Sequence, residues 1–252
     1  MNRYSTLILT FFFTLFLTNS VYAYRPFITE DASVAGKGVI QLEVSWDYLR
    51  WENDDDEHTL IFFVPIIGVT ERIELSVEIP YLFHNPDAGK RENGIGDVSI
   101  VGKLLLIDEK PKIPGFTLKG IVKTESGDEE KALGTSDEHY SIVAVLSKRI
   151  RDFQFHSMFG YTFIGNDDKE NLRDIYLYGF GADYKLTEKI NLVSEIVGNK
   201  HSDRKADGDP VSGMIGGIFK VSDHLAIDGG VRFGFNNSAP DWNTTLGVTI
   251  TF

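Results

Sequence analysis

The chain has no cysteine and few bases: 25 lysines and arginines stand against 37 acids, for a formal charge of -12. The missing cysteine excludes a disulfide-stapled scaffold and a lipid-modified thiol. The acidic balance argues against nucleic acid or another polyanion as partner, and suits a basic partner or divalent cations bridging to lipopolysaccharide. Long apolar runs are also missing. The stretch Leu7–Leu17 falls short of the roughly 20 residues a membrane-crossing helix needs, and nothing later approaches that length.

That apolar stretch reads instead as a secretory signal. Arg3 is the only charge ahead of it, and Asn19-Ser20 followed by Val21-Tyr22-Ala23 puts small or modest residues where a signal peptidase cuts. The expected organisation is a signal peptide over 1–23, an N-terminal periplasmic or plug-like segment over 24–37, and one β domain over 38–252.

From Gly38 onward, apolar and polar residues alternate with the period of two that marks strands. In the first strand Ile40, Leu42, Val44, Trp46 and Tyr48 oppose Gln41, Glu43, Ser45 and Asp47. Twelve strands are predicted, at 38–50, 58–68, 71–82, 96–107, 115–124, 138–149, 153–164, 174–185, 190–198, 211–221, 225–235 and 242–252. Their connections alternate short and long, with 108–114 the one longer member of the short set, and both ends of the domain fall on the short side. This is the pattern of a transmembrane up-and-down antiparallel β-barrel, all-β, with periplasmic turns and extracellular loops. A soluble sandwich or small barrel would need to bury Phe153, Phe155, Phe159, Tyr161, Phe163, Tyr176, Tyr178, Phe180 and Tyr184 in a core too small for them. Trp46, Tyr48, Tyr81, Tyr161, Tyr184 and Trp242 fall where headgroup girdles would be. In the strand at 58–68, which holds Pro65 and is apolar on both faces, alternation does not decide which face meets lipid.

Alternation also names the residues that face the lumen. The acids are Glu43, Asp47, Glu74, Glu78, Asp97, Asp183, Glu195 and Asp228; the bases are Arg72, Lys103, Lys119, Lys123, Lys185 and Arg232. Their near-balance points to an ion network across the lumen rather than a ring of one sign, because an enclosed charge must be hydrated or paired. Phe63, Val101, Val143, Val145, Met158, Ile175 and Leu177 are apolar at positions expected to face inward, and would line a greasy path or pack against the 24–37 segment.

The opening of the domain, Arg25-Pro26-Phe27-Ile28-Thr29-Glu30-Asp31-Ala32 and then Gly38 with Gln41-Leu42-Glu43, resembles that of the outer-membrane transporter family named for the MetA pathway of phenol degradation. So do Gly68-Val69-Thr70-Glu71-Arg72-Ile73-Glu74-Leu75, Gly94-Ile95-Gly96-Asp97, Gly134 with Ser136-Asp137, and Gly160-Tyr161. Where that family usually shows Pro-Thr-Gly after the fifth strand, this chain has Lys123-Thr124-Glu125-Ser126-Gly127. The resemblance implies a bacterial outer-membrane barrel passing small, often aromatic or hydrophobic, compounds. Phe252 at the chain end resembles the signal read by the barrel-assembly machinery.

Catalysis has little to recommend it. Of six histidines only His156 sits inside a predicted strand, facing inward beside Gln154 and Met158, and no Gly-x-Ser-x-Gly elbow accompanies it. Acidic runs such as Asp54-Asp55-Asp56-Glu57-His58, 125–130, Asp167-Asp168 and 203–209 offer oxygen ligands but lack the spacing of a calcium loop. The expectation is a passive channel for small molecules, without cofactor or metal and with outer-membrane lipid and lipopolysaccharide around it. The alternative is a closed barrel with a structural or surface-binding role.

Overall fold

The computed structural model describes residues 25–51, 56–85, 90–135, 137–165, 172–206 and 208–252. The expected signal peptide, the acids Asp54 and Asp55, and Asp167-Asp168 lie outside them. The elements are β1 (Ile40–Trp51), β2 (Asp56–Gly68), β3 (Ile73–Asn85), β4 (Glu92–Ile95), β5 (Ser99–Ile107), β6 (Gly115–Lys123), a 3-10 turn η1 (Glu129–Lys131), β7 (His139–Ile150), β8 (Phe153–Ile164), β9 (Ile175–Lys185), β10 (Ile190–Asn199), β11 (Val211–Ser222), β12 (Leu225–Gly234) and β13 (Trp242–Thr251). Each long strand pairs antiparallel with its neighbours in sequence, and β1 pairs with β13 from Gln41↔Thr251 to Arg50↔Trp242. The sheet is therefore a closed barrel. Since β4 and β5 both lie along β3 as two pieces of one strand, the wall has twelve strands, as alternation predicted.

Closure follows from the environment that the outer face demands. Ile215, Phe180 and Phe159 are 66%, 64% and 57% exposed, and nearly every outward position on the wall is apolar. A continuous apolar surface of this size is not tolerated in water; in hydrocarbon it is the required surface, provided that no strand edge is left with unpaired amides. Aromatic pairs collect toward the strand ends: Trp46, Tyr48 and Trp242 on the long-loop side, Phe153, Phe155 and Tyr184 on the short-turn side.

Two sequence expectations change. Residues 83–95 are not all loop: β3 runs on to Asn85, and β4 pairs with Tyr81–His84 before the wall strand breaks at 96–98. Phe63 was expected inside, but it points outward and is 45% exposed. Its register is set by the neighbour, since Glu43↔Val64 and Gln41↔Ile66 place Val64 and Ile66 inside and Phe63, Pro65 and Ile67 outside. Pro65 fits because the β2–β3 ladder skips Val64 and Pro65, where proline has no N–H to give.

Phe180 stands midway along β9, on the outer face. Phe180→Arg is expected to lower folding stability in lipid vesicles by about 2–4 kcal/mol, the cost of an arginine at mid-membrane depth. A urea midpoint unmoved by the substitution would mean that this face does not sit in hydrocarbon.

Candidate functional site

The candidate site is the lumen, and residues 25–37 are inside it. This segment does not join the sheet. It runs along the inner wall, and its side chains and amides touch strands on all sides of the barrel. Near its end Gly38, at φ 81°, donates to Gly68 O at 2.8 Å, and Gly68 N–H donates to Val39 O at 2.9 Å. A Cβ on Gly68 would come within 2.0 Å of Gly36 O, so only glycine lets the segment leave the wall there.

Reading back from that point, Ala35 N–H donates to Glu74 of β3 at 2.5 Å. Ala32 N–H donates to Ser147 Oγ of β7 at 2.8 Å, while Thr117 of β6 donates to Ala32 O. Glu30 lies 2.6 Å from Lys119 of β6 and 3.3 Å from Lys103 of β5. The amides of Ile28 and Thr29 both donate to the Glu195 carboxylate of β10, at 2.9 and 2.7 Å, and Arg232 of β12 pairs with the same carboxylate at 2.5 Å. Arg25 reaches Asp228 of β12 and Asp47 of β1. Apolar contacts follow the same path: Phe27 against Val193, Met214, Ile218 and Ala226; Ala32 against Val143, Val145, Met158 and Val197; Ala35 against Val39 and Ile66.

The sequence-derived site residues divide accordingly. Glu43, Asp47, Glu74, Glu78, Lys103, Lys119, His156, Asp183, Glu195, Asp228 and Arg232 lie on the inner wall around the segment, most of them buried. Lys123 and Asp97 pair at 2.6 Å toward the long loops, where Asp97 also accepts from the amides of Gly127 and Thr135 and so fastens the loop that carries η1. Two bases are not in the lumen. Arg72 precedes β3, is half exposed and pairs with Asp108; alternation was extended one residue beyond the strand. Lys185, the last residue of β9, pairs with Glu188 in the following turn at 2.7 Å. Without them the expected near-balance gives way to an acidic excess. Phe252 is 59% exposed and its N–H donates to Ile40 O at 2.8 Å, closing the ladder between the last strand and the first.

His156 Nδ1 lies 2.8 Å from Ser147 Oγ. Ser147 Oγ also accepts the Ala32 N–H, so it joins the segment to the histidine. Phe27 covers the ring at 5.6 Å between centroids, and Asp183 accepts from Asn191 Nδ2 at 2.9 Å instead of orienting the histidine. The serine and histidine help to hold the segment, Ser147 through the Ala32 amide and His156 through Phe27. Sequence reasoning passed over Arg25, Glu30 and Ser147. The available signal was a run of opposite charges in a stretch with no strand period.

Within the segment, burial alone would raise the Glu30 carboxyl, but Lys119 and Lys103 outweigh it and lower the value to about 2. For Asp31 burial outweighs the pull of Lys103 and of the Ser33 amide that donates to it, and raises it to about 6.

The model of the family described as "Putative MetA-pathway of phenol degradation" matches residues 23–252, the family anticipated from the turn and N-terminal residues. No curated protein matches. Among solved structures, the chain is similar to the COG4313 outer membrane channel from Pseudomonas putida F1, with a TM-score of 0.69 at 11% identity, covering 88% of this chain and 98% of that one. It is also similar to the NanC porin (0.60, 10% identity, 83% and 98% covered) and the KdgM porin (0.58, 10%, 84% and 99%). At such identities the likeness establishes the shared barrel.

Glu195→Ala would remove the acceptor for two amides and leave Arg232 unpaired. It should weaken docking of the segment by about 3–5 kcal/mol, the cost of breaking a buried pair, read as faster hydrogen exchange at Ile28 and Thr29. Unchanged exchange would mean that the segment is held elsewhere. Docking should also depend on pH with a definite sign. Asp31 is raised from 3.8 to about 6, so docking strengthens as pH falls from neutrality through that range; Glu30 is lowered from 4.5 to about 2, so its contribution is present above 4.5 and is lost as pH falls toward 2. Because the chain lacks cysteine, a spin label on Ser33→Cys can report this as mobility that is lowest near pH 4 to 5, and a flat profile would refute it.

Proposed function

Because the chain belongs to the family of the MetA pathway of phenol degradation, we propose that it is a passive outer-membrane channel for small molecules whose path is narrowed by residues 25–37. One observation carries this reading: the wall closes on itself without the segment. Its hydrogen-bond ladder runs through β1 and β13, and the segment is held mostly by side chains and ends of backbone that water or a solute can replace. A filler needed for a closed structural barrel would be expected to complete the sheet or to supply an apolar core throughout.

The character of the lumen supports small solutes with an apolar, aromatic part. Val143, Val145, Met158 and Val197 form one buried apolar cluster on the inner wall, and Val193, Met214, Ile218 and Ala226 form a second, against which Phe27 packs. A ring there gains by leaving water. Secretion with removal of residues 1–23, assembly through the terminal Phe252, and lipopolysaccharide around the long loops belong to the same reading.

Refolded into planar bilayers, residues 24–252 should give a small, steady conductance that rises when 24–37 are removed and falls when a small aromatic such as benzyl alcohol is added. Silence of both forms, each showing the heat-modifiable gel shift of a folded barrel, would sink the channel and favour the closed structural role.

A further inference from the structure

The Arg25 side chain occupies a site more acidic than its single charge balances. Its guanidinium lies between Asp47 of β1 and Asp228 of β12, with N–O distances of 3.6 and 3.7 Å, and it donates to Thr245 Oγ1 of β13. A settled Arg–carboxylate pair closes to hydrogen-bond distance on two parallel bonds. Here neither carboxylate does so. The Asp228 side chain is fully buried, yet neither of its oxygens accepts a hydrogen bond from any described group; Arg25 Nε donates none, and Glu43 Oε1 nearby on the same wall is also buried without a partner.

Space for this site is written into the wall. A Cβ on Gly247 would stand 2.5 and 2.7 Å from the Asp228 oxygens and 2.8 Å from Arg25 Nε, so any other residue would fill the gap between carboxylate and guanidinium. Three acids thus face one cation, and several hydrogen-bonding positions are unused in a place where unmet polar groups are costly. The site already holds a planar guanidinium that reaches acids on two strands at once, which a compact ammonium does not; tethered through residue 25 it stops short of both carboxylates, and an untethered guanidinium is free to close on them.

We propose that Asp47, Asp228 and Thr245 form a recognition site for small solutes bearing a guanidinium group, with Arg25 as its tethered resident, and that such a solute takes the site when the Arg25 side chain leaves it. The site does not require the lumen to conduct, so its test is separate from that of the channel.

The test is calorimetric titration of the mature chain in detergent with methylguanidinium and with methylammonium. The chains compared are the unaltered one, Arg25→Ala, and Arg25→Ala with Asp228→Asn. Arg25→Ala should bind methylguanidinium at least about tenfold more tightly than the unaltered chain. Methylammonium should bind more weakly, and Asp228→Asn should abolish the gain. Folded Arg25→Ala protein that binds no better than the unaltered chain, or binding that survives Asp228→Asn, would overturn the proposal. Should Arg25→Ala fail to refold alone, refolding in millimolar methylguanidinium decides the matter. Recovery of the folded gel band supports the site, and recovery no greater than in tetramethylammonium refutes it. Binding in a barrel that passes no current would leave this site standing while the channel reading falls.

Discussion

Backbone pairing in a medium without water is the constraint from which the rest of this protein follows. Strands in hydrocarbon must satisfy every amide within the sheet, so the sheet has to close, and here it does so through β1 and β13. Closure at twelve strands fixes the width of the interior, and strict alternation then sends one residue in two into it. The outer series is apolar because lipid requires it. The inner series has no such requirement and carries Glu43, Asp47, Glu74, Lys103, Lys119, Glu195, Asp228 and Arg232, most of them buried.

Enclosing so many ionic groups sets the second problem, which residues 25–37 solve in part. Glu30 meets the two lysines, Arg25 meets two aspartates, and the amides of Ile28, Thr29, Ala32 and Ala35 meet Glu195, Ser147 and Glu74. Buried ion pairs of this kind contribute little net stability, since desolvation consumes most of the attraction. Their effect is on position: each contact is satisfied by one register of the segment on the wall. Phe27, Ala32 and Ala35 supply the apolar burial that favours docking at all.

Where the period-two signal was clean, the sequence was legible down to the facing of single side chains, as in Ile40 to Tyr48. It failed where something other than period decides. In β2 both faces are apolar, and orientation comes from pairing with β1, which lies outside any local window; hence the reversal of Phe63. At Arg72 the alternation was followed past the point where the ladder begins. Residues 92–95 read as loop because Asn93 and Gly94 are poor strand formers, although β3 holds them in register. The segment itself has no period. Its plug-like place was one of two readings, and the partner of each residue depends on how the barrel closes.

The circuit also has a direction. On the Gly36–Val39 side the segment is joined to the wall by backbone hydrogen bonds and by the Gly68 contact, in which no side chain intervenes. Toward Arg25 it is held by side chains: Arg25 donates to Thr245, but its ion pairs with Asp47 and Asp228 are longer than hydrogen bonds and the buried Asp228 oxygens accept none. A polar contact with unmet capacity is the one a competing ligand or water displaces at least cost. In the channel reading proposed above, release would start beside Asp47 and Asp228, where side chains alone hold the segment, and end at the Gly68 anchor.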